Sequence, residues 1–273
     1  MTSTNDRPTT GAPGWRVAGI AATVVVIGVG ISVGPVLAGN LMQKLDTTTK
    51  QSAETFDRVP TSASVDAATA DVTLAAAAAD QIAVQRTVEW AKREPTIAET
   101  WSSGAFDVDL GCPDGITGWL NDYCRIDYVM QLPKRTPVDV SVTTGDVTLD
   151  GALGDSDVTA TTGDVTLDGA GGDSTTRTTT GSIIGRGLAS ASTSAEAETG
   201  SIELDYTNTP EQVTASVTTG DISITVPDDG VAYRVVGETQ TGERDIQVPT
   251  DPAADRVIDV TSTTGDVEIG YRK

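Results

Sequence analysis

A nine-residue phrase occurs twice in this chain, and it limits the possible folds more than any other feature of the sequence. TTGDVTLDG occupies positions 143–151 and again positions 161–169. A Thr-Gly step recurs through the C-terminal half at intervals of 18 to 23 residues, with its glycine at Gly145, Gly163, Gly181, Gly200, Gly220, Gly242 and Gly265. Self-similarity at such a period is typical of repeat proteins, in which a copy buries its apolar face only by stacking on its neighbours.

The residues that flank each glycine alternate between apolar and polar. Val140 and Val142 share one parity before Gly145, and Val147 and Leu149 share one parity after it. Such alternation in β-branched residues predicts strands with one buried face, and glycine followed by Asp predicts a corner between them. We therefore predict an all-β fold, a parallel β-solenoid of two-strand coils of ~18–23 residues that stack in succession, preceded by one N-terminal transmembrane helix.

An antiparallel meander is the alternative, with Thr-Gly-Asp as a hairpin turn. The near-identity of copies one coil apart favours the parallel arrangement, because like residues then form ladders.

An uncharged segment lies near the N-terminus, at residues 17–38. As a helix it would span about 33 Å, close to the thickness of the hydrocarbon core of a bilayer. It predicts a single membrane anchor. A cleaved signal peptide is the alternative, since VLA at 36–38 resembles a cleavage site, but the apolar run is longer than a usual signal core.

The chain has two cysteines, Cys112 and Cys124, separated by a loop rich in Gly, Pro and Asp. Such a loop can fold back on itself, so we predict a disulfide, which implies an oxidising compartment. Two reduced, buried thiols are the alternative. A disulfide would place the C-terminal domain outside the cell. Together with the membrane anchor, this predicts a single-pass protein of the cell membrane whose C-terminal domain is extracellular.

These features divide the chain into five predicted parts. They are a cytoplasmic tail (1–16), a transmembrane helix (17–38), a linker or stalk (39–60), N-terminal strands and a cap with the disulfide loop (61–135), and the solenoid repeats (136–273).

Composition excludes several classes of function. The 39 acidic residues outnumber the 18 basic ones and give a net charge of −21, which argues against nucleic acid as a partner. The chain has no histidine, which excludes Ser-His-Asp and Cys-His catalysis and histidine-based zinc sites. We predict a protein that is not an enzyme and needs no cofactor.

Calcium is the one metal that the sequence suggests. Asp146, Asp164, Asp221 and Asp266 follow equivalent glycines, so stacking would place them in one column. Calcium prefers several hard oxygen ligands, and these four residues are the candidates to hold it. The alternative is that each Asp only caps its turn.

Three motifs carry a resemblance to a known family. They are the recurrent unit [Thr/Ser]-Thr-Gly-Asp-[Val/Ile]-x-[Leu/Ile], the block at 111–133 that contains GCPDG and CRIDYVMQLP, and the C-terminal TSTTGDVEIGYRK. With the preceding anchor, they resemble the bacterial “putative adhesin” β-strand-repeat family, also called Toastrack. The resemblance implies an envelope-anchored β-solenoid associated with adhesion or with cell-envelope stress sensing, and it implies no catalytic residues.

We therefore expect a non-catalytic surface module that is held in the membrane by its N-terminal helix and binds or scaffolds an envelope protein or glycan. A calcium-binding acidic solenoid is the first alternative. A polysaccharide-active enzyme with paired carboxylates is the second.

Overall fold

The computed structural model describes residues 47–78, 80–113 and 123–272. The first eleven strands are β1 (Thr48–Phe56), β2 (Ala63–Thr69), β3 (Asp71–Ala77), β4 (Ile82–Trp90), β5 (Thr96–Ser102), β6 (Ala105–Gly111), β7 (Cys124–Pro133), β8 (Val138–Thr144), β9 (Val147–Asp150), β10 (Ser156–Thr162) and β11 (Val165–Asp168). The other eleven are β12 (Ser174–Thr180), β13 (Ile183–Leu188), β14 (Ser192–Thr199), β15 (Ile202–Tyr206), β16 (Gln212–Thr219), β17 (Ile222–Val226), β18 (Arg234–Val236), β19 (Thr239–Thr241), β20 (Arg244–Ile246), β21 (Val257–Thr264) and β22 (Val267–Tyr271).

Two sheets face each other across one apolar core. Sheet A has the order β1-β4-β7-β3-β9-β11-β13-β15-β17-β22-β20. Sheet B has the order β5-β6-β2-β8-β10-β12-β14-β16-β21-β18, with β19 also paired to β21. In the repeats each coil gives one strand to each sheet, and the corner glycine lies between the two strands.

Neighbouring repeat coils pair in parallel register. Val140 lies beside Val158 in sheet B, and Val147 lies beside Val165 in sheet A. All four side chains are buried, which confirms the predicted single buried face. The two-strand parallel coil is therefore confirmed in the repeats, and the antiparallel meander is wrong there.

The corner glycine is required by its neighbour one coil away. Gly163 has a φ of +144°, and a Cβ added to it would lie 1.9 Å from the carbonyl oxygen of Gly145. Because the stacked corners approach this closely, a side chain at this position cannot be accommodated without moving the backbone.

The coils do not stack in chain order, which corrects the expectation that copies follow one another in succession. The β2–β3 coil lies between β6–β7 and β8–β9, and the last coil, β21–β22, lies between β16–β17 and the short strands β18–β20. Burial explains the second exchange: Ile258, Val260, Val267 and Ile269 are all buried, as an interior coil requires. The three-residue strands β18–β20 are short and largely polar, which suits the end of a stack.

The other end of the stack is antiparallel. β4 pairs with β7, β1 pairs with β4, and β5 pairs with β6, each in antiparallel register. Sheet A thus extends two strands beyond the β6–β7 coil, whereas sheet B extends one, so β1 overhangs sheet B. Strand β1 lies inside the predicted linker 39–60, and its Phe56 packs against Phe106 with ring centroids 5.2 Å apart.

The predicted disulfide between Cys112 and Cys124 is confirmed, with Cα atoms 6.0 Å apart. It closes the corner of the β6–β7 coil, where the repeats have Gly-Asp. Sγ of Cys112 lies 3.7 Å from the carbonyl oxygen of Thr69, so the bridge sits against the next corner, where Ala70 replaces glycine.

Within residues 47–78, 80–113 and 123–272, no helix is long and apolar enough to cross a membrane. The predicted transmembrane segment 17–38 and the predicted tail 1–16 lie outside the described residues.

Candidate binding surfaces

The four aspartates proposed for calcium lie in one column along the corners, as predicted, and all are exposed. Each carboxylate accepts a hydrogen bond through Oδ1 from a backbone N–H of the adjacent coil. Asp146 accepts from Asp164 (2.9 Å), and Asp164 accepts from Ser182 (2.7 Å). Asp221 accepts from Asp266 (2.8 Å), and Asp266 accepts from Glu243 (2.7 Å).

The column also contains residues that cannot serve as calcium carboxylates. Ser182 and Ser201 stand between Asp164 and Asp221, and each hydroxyl accepts an N–H from the next coil at 3.3 Å. The four aspartates are therefore two separated pairs. In the described part of the chain, no three Asp, Glu, Cys or His side chains gather where they could hold a metal ion. The carboxylates act as links between coils, and calcium binding stays a hypothesis.

A charged cleft opens at the antiparallel end of the stack. Beneath the overhanging β1, where sheet B has ended, β1, β4 and β5 enclose a space of ≈ 350 Å³. Its walls include Lys50, Glu54, Arg86, Glu94 and Glu99. We call this space the end cleft.

Arg86 holds the acidic side chains of the end cleft together. Its Nε donates to Oε1 of Glu99 at 2.5 Å, and its Nη2 donates to the other oxygen of Glu99 and to Oε2 of Glu54 at 3.1 Å. Tyr128 donates its hydroxyl to Glu99 at 2.9 Å. The guanidinium and the two carboxylates thus form one hydrogen-bonded cluster.

The pKa values in this cluster follow from burial and charge. Burial lowers the pKa of Arg86, but the hydrogen bond and negative charge of Glu99 more than offset it, so that pKa lies above its usual value. Burial, with the charge of Glu99, raises the pKa of Tyr128 well above its usual range. Arg86 is therefore charged and Tyr128 neutral throughout the physiological range.

Reasoning from the sequence missed this cluster, although its signal was present. Arg86 shares parity with Ile82, Val84 and Val88, the inward residues of an alternating strand. A charged residue in an inward column requires a partner of opposite charge, and Glu99 is that partner.

A second polar depression lies on the outer face of sheet A near the C-terminal end. It encloses ≈ 760 Å³ over β11, β13, β15, β17 and β22, beside Gln247, which follows β20. We call it the face groove. Its lining residues are polar or small: Asp168, Arg186, Gly187, Glu203, Asp205, Thr225, Gln247, Glu268, Gly270, Tyr271 and Arg272.

Hydrogen bonds and ion pairs fix part of the face groove. Asp205 accepts from the Thr225 hydroxyl at 2.8 Å, and its other oxygen lies 3.4 Å from Nη2 of Arg272. Gly270 is buried beside them, and a Cβ added to it would lie 3.6 Å from Oε1 of Gln247. The surface offers both donors and acceptors, so it suits a polar, uncharged or zwitterionic partner better than an anionic one.

The family is decided by a sequence match over half of the chain. Residues 134–270 match the family described as Toastrack DUF4097. The chain belongs to this family. The Toastrack region runs from just before β8 into β22, so it contains nearly all of the face groove, whereas the end cleft lies in the residues that precede it.

Solved structures with similarity to this chain have low sequence identity to it. A “putative cell adhesion protein” from Clostridium sporogenes is 10% identical, covers 82% of this chain and 100% of its own, and has a TM-score of 0.39. A “putative adhesin” from Bacteroides fragilis is 14% identical, covers 83% of this chain and 97% of its own, and has a TM-score of 0.41. Among curated proteins, none matches the chain. The family assignment therefore rests on the sequence match alone.

Proposed function

We propose that this Toastrack protein is a non-catalytic module of the cell envelope, anchored by residues 17–38, whose solenoid lies outside the membrane and binds or scaffolds an envelope component. The face groove is the observation that carries the proposal. It is a polar groove of ≈ 760 Å³ on the outer face of sheet A, lined by residues of five strands, β11, β13, β15, β17 and β22, and by Gln247 and Arg272.

Two further features support an extracellular placement. The disulfide between Cys112 and Cys124 requires an oxidising compartment to persist. Strand β1 begins at Thr48, ten residues beyond the apolar segment, so the described domain would lie within about 35 Å of the bilayer if that segment spans it.

The chemistry of the face groove narrows the partner. Its acidic side chains and the net charge of −21 repel polyanions, while Arg186 and Arg272 supply donors at two positions. We expect a neutral glycan or a basic or polar protein surface. Adhesion and envelope-stress sensing are the two forms that such a function would take.

Placement is tested by labelling single introduced cysteines with a membrane-impermeant maleimide. We expect Thr161→Cys, on the exposed face of β10, to react in intact cells, and Thr9→Cys, in the predicted cytoplasmic tail, to react only after lysis. Equal labelling of both before lysis, or of Thr9→Cys alone, would refute the proposed orientation.

Binding is tested by attaching a photocrosslinker to a cysteine in the face groove on intact cells. We expect Thr225→Cys to capture a discrete envelope component that Thr161→Cys, on the opposite sheet, does not capture. Arg186→Ala in the Thr225→Cys background should reduce capture. The same products from both sheets would show that the face groove is not the binding surface.

A further inference from the structure

Strand β1 is a long sheet edge that is open to approach. It pairs with β4 on one side only, and among the described residues no strand pairs with its other side. On its inner face β1 meets β5 across the end cleft and at Phe56, whose ring centroid lies 6.3 Å from that of Trp101, but residues 48–51 are exposed and the outer edge of the strand is open. A strand of this length with free N–H and C=O groups is a template for another strand.

The sequence of β1 is complementary to itself in one register. Antiparallel pairing of two copies about Ser52 places Lys50 of each opposite Glu54 of the other, and the flanking pairs are Thr49 with Thr55 and Gln51 with Ala53. Opposite charges directly across an antiparallel pair stabilise it. Sliding the register by four positions in either sense opposes Lys50 to Lys50 or Glu54 to Glu54, which is destabilising.

We propose that two copies of this chain associate through β1, which pairs antiparallel with β1 of the second copy about a two-fold axis at Ser52. Sheet A then continues without interruption through both copies. Lys50 of the second copy reaches Glu54, whose side chain accepts a hydrogen bond from Arg86 at 3.1 Å within its own chain. The inference does not depend on the proposed function of the face groove.

The other sheet edges do not offer the same complementarity. Antiparallel pairing of β5 about its central residue opposes Glu99 to Glu99. At the far end of the stack, β18 and β20 are three residues long, too short to give a stable pairing. In the described ranges, β1 is therefore the edge that selects a second copy.

The test uses the full chain in detergent micelles with Ser52→Cys and a mild oxidant. At the two-fold axis, the Cα atoms of the two introduced cysteines would lie about 4.5–5.5 Å apart, within disulfide range. Thr55→Cys is the matched control in the same strand, because the register puts the two copies of this residue about 20 Å apart. We expect at least about tenfold more covalent dimer from Ser52→Cys.

Absence of this dimer from a Ser52→Cys protein that melts like the wild type would overturn the proposal, as would equal cross-linking of Thr55→Cys. Reversing the charge of Lys50 provides an independent test of the pairing between copies. In the Ser52→Cys background, Lys50→Glu should lower the dimer yield at least about fivefold by opposing two carboxylates.

Glu94→Gln is the control for that test, since Lys50 also contacts Glu94 at 2.7 Å within its own chain. We expect the Glu94→Gln variant to keep the dimer yield. An equal loss from both variants would show that the Lys50–Glu94 pair, and not contact between copies, sets the yield.

Discussion

Corner glycines are the residues that tolerate substitution least within the repeats, although Ala70 takes this place at the β2–β3 corner. At Gly163 two constraints coincide, a φ of +144° and a carbonyl oxygen 1.9 Å from where a Cβ would lie. Gly230 has a positive φ of +74° but nothing within 4 Å of an added Cβ. The two positions separate the cost of backbone conformation from the cost of stacking.

We expect Gly163→Ala to lower the free energy of unfolding by about 3 kcal/mol or more, because the corner must move away from its neighbour. Gly230→Ala should lower the free energy of unfolding by about 1 kcal/mol, the cost of holding alanine at a positive φ without a steric clash. Chemical denaturation followed by circular dichroism measures both. Similar losses at the two positions would mean that close approach between corners contributes little.

Asp164 tests what the aspartate column does. Its Oδ1 accepts from the Ser182 N–H at 2.7 Å, so Asp164→Ala should lower the free energy of unfolding by about 1 kcal/mol. Asp164→Asn keeps an acceptor oxygen and should cost less than half of that. Thermal melts of the three proteins give the comparison.

Repeating those melts in millimolar calcium separates the two interpretations of the column. If the carboxylates only link coils, calcium leaves the melting temperatures of the wild type, Asp164→Ala and Asp164→Asn unchanged, and so also their order. If they hold calcium, the ion raises the melting temperature of the wild type and raises that of Asp164→Asn less.

Single residues also show how far sequence reasoning reaches. The corner glycines and the aspartate column were predictable, because equivalent positions of a repeat occupy equivalent places in every coil, whatever the order in which the coils stack. The hydrogen bond that the Ser182 N–H donates to Asp164 was not predictable, since an Asp that caps its turn would accept a hydrogen bond from within that turn. Arg86 was missed because its inward position becomes apparent only when alternate residues of β4 are compared, which puts it in line with the buried Val84 and Val88.

Among the elements, the disulfide corner is the one that replaces a repeat unit. It joins β6 to β7 where other coils use Gly-Asp, and β7 connects the repeats to the antiparallel strands. Breaking it removes the link between Cys112 and Cys124 in the unfolded chain and loosens the end of the stack.

We expect Cys112→Ser/Cys124→Ser to lose about 3 kcal/mol of stability from loop closure. Hydrogen exchange should show the loss in β4, β6 and β7, with β10–β15 unchanged. Uniform loss of protection through the stack would contradict a local role.

Elements were predicted with unequal success for a physical reason. Most repeat strands carry buried Val, Ile, Leu or Ala, so their alternation was clear, although β12 buries Ser174, Thr176 and Thr178 instead. Strand β1 presents Lys50, Ser52 and Glu54 inward to the end cleft, so its alternation has no apolar face and it resembled a linker. An edge strand that faces a polar cleft has polar residues on both faces, so its sequence lacks the alternation of apolar and polar residues that predicts a strand.

Over the whole molecule, the order of the coils departs from the order of the chain at both ends. The pattern of a repeat records which residues face inward, not which coil is its neighbour, so this exchange could not be read from the period. It makes the last coil, β21–β22, an interior one with β16–β17 on one side and β18–β20 on the other.

We expect truncation after Arg256 to unfold β18–β20 and to expose the β16–β17 edge, giving aggregation and a broad melt. Deletion of 230–253 removes more of the chain but keeps β21–β22 paired with β16–β17, so although it also exposes an edge it should melt more cooperatively and aggregate less than the truncated protein. Circular dichroism melts and size-exclusion chromatography compare them. A truncated protein as well behaved as the deletion variant would show that β21–β22 is not needed inside the stack.

The interior place of the final coil also has a consequence for biogenesis. A chain made from its N-terminus can add coils one after another until Val226, but the next level is filled by β21 and β22, which are synthesised after β18–β20. Strands β18–β20 must therefore wait, without a coil to dock on, until β21 and β22 have left the ribosome. A prematurely terminated polypeptide cannot complete the stack, so the architecture itself distinguishes finished chains from unfinished ones and leaves the latter exposed to proteolysis.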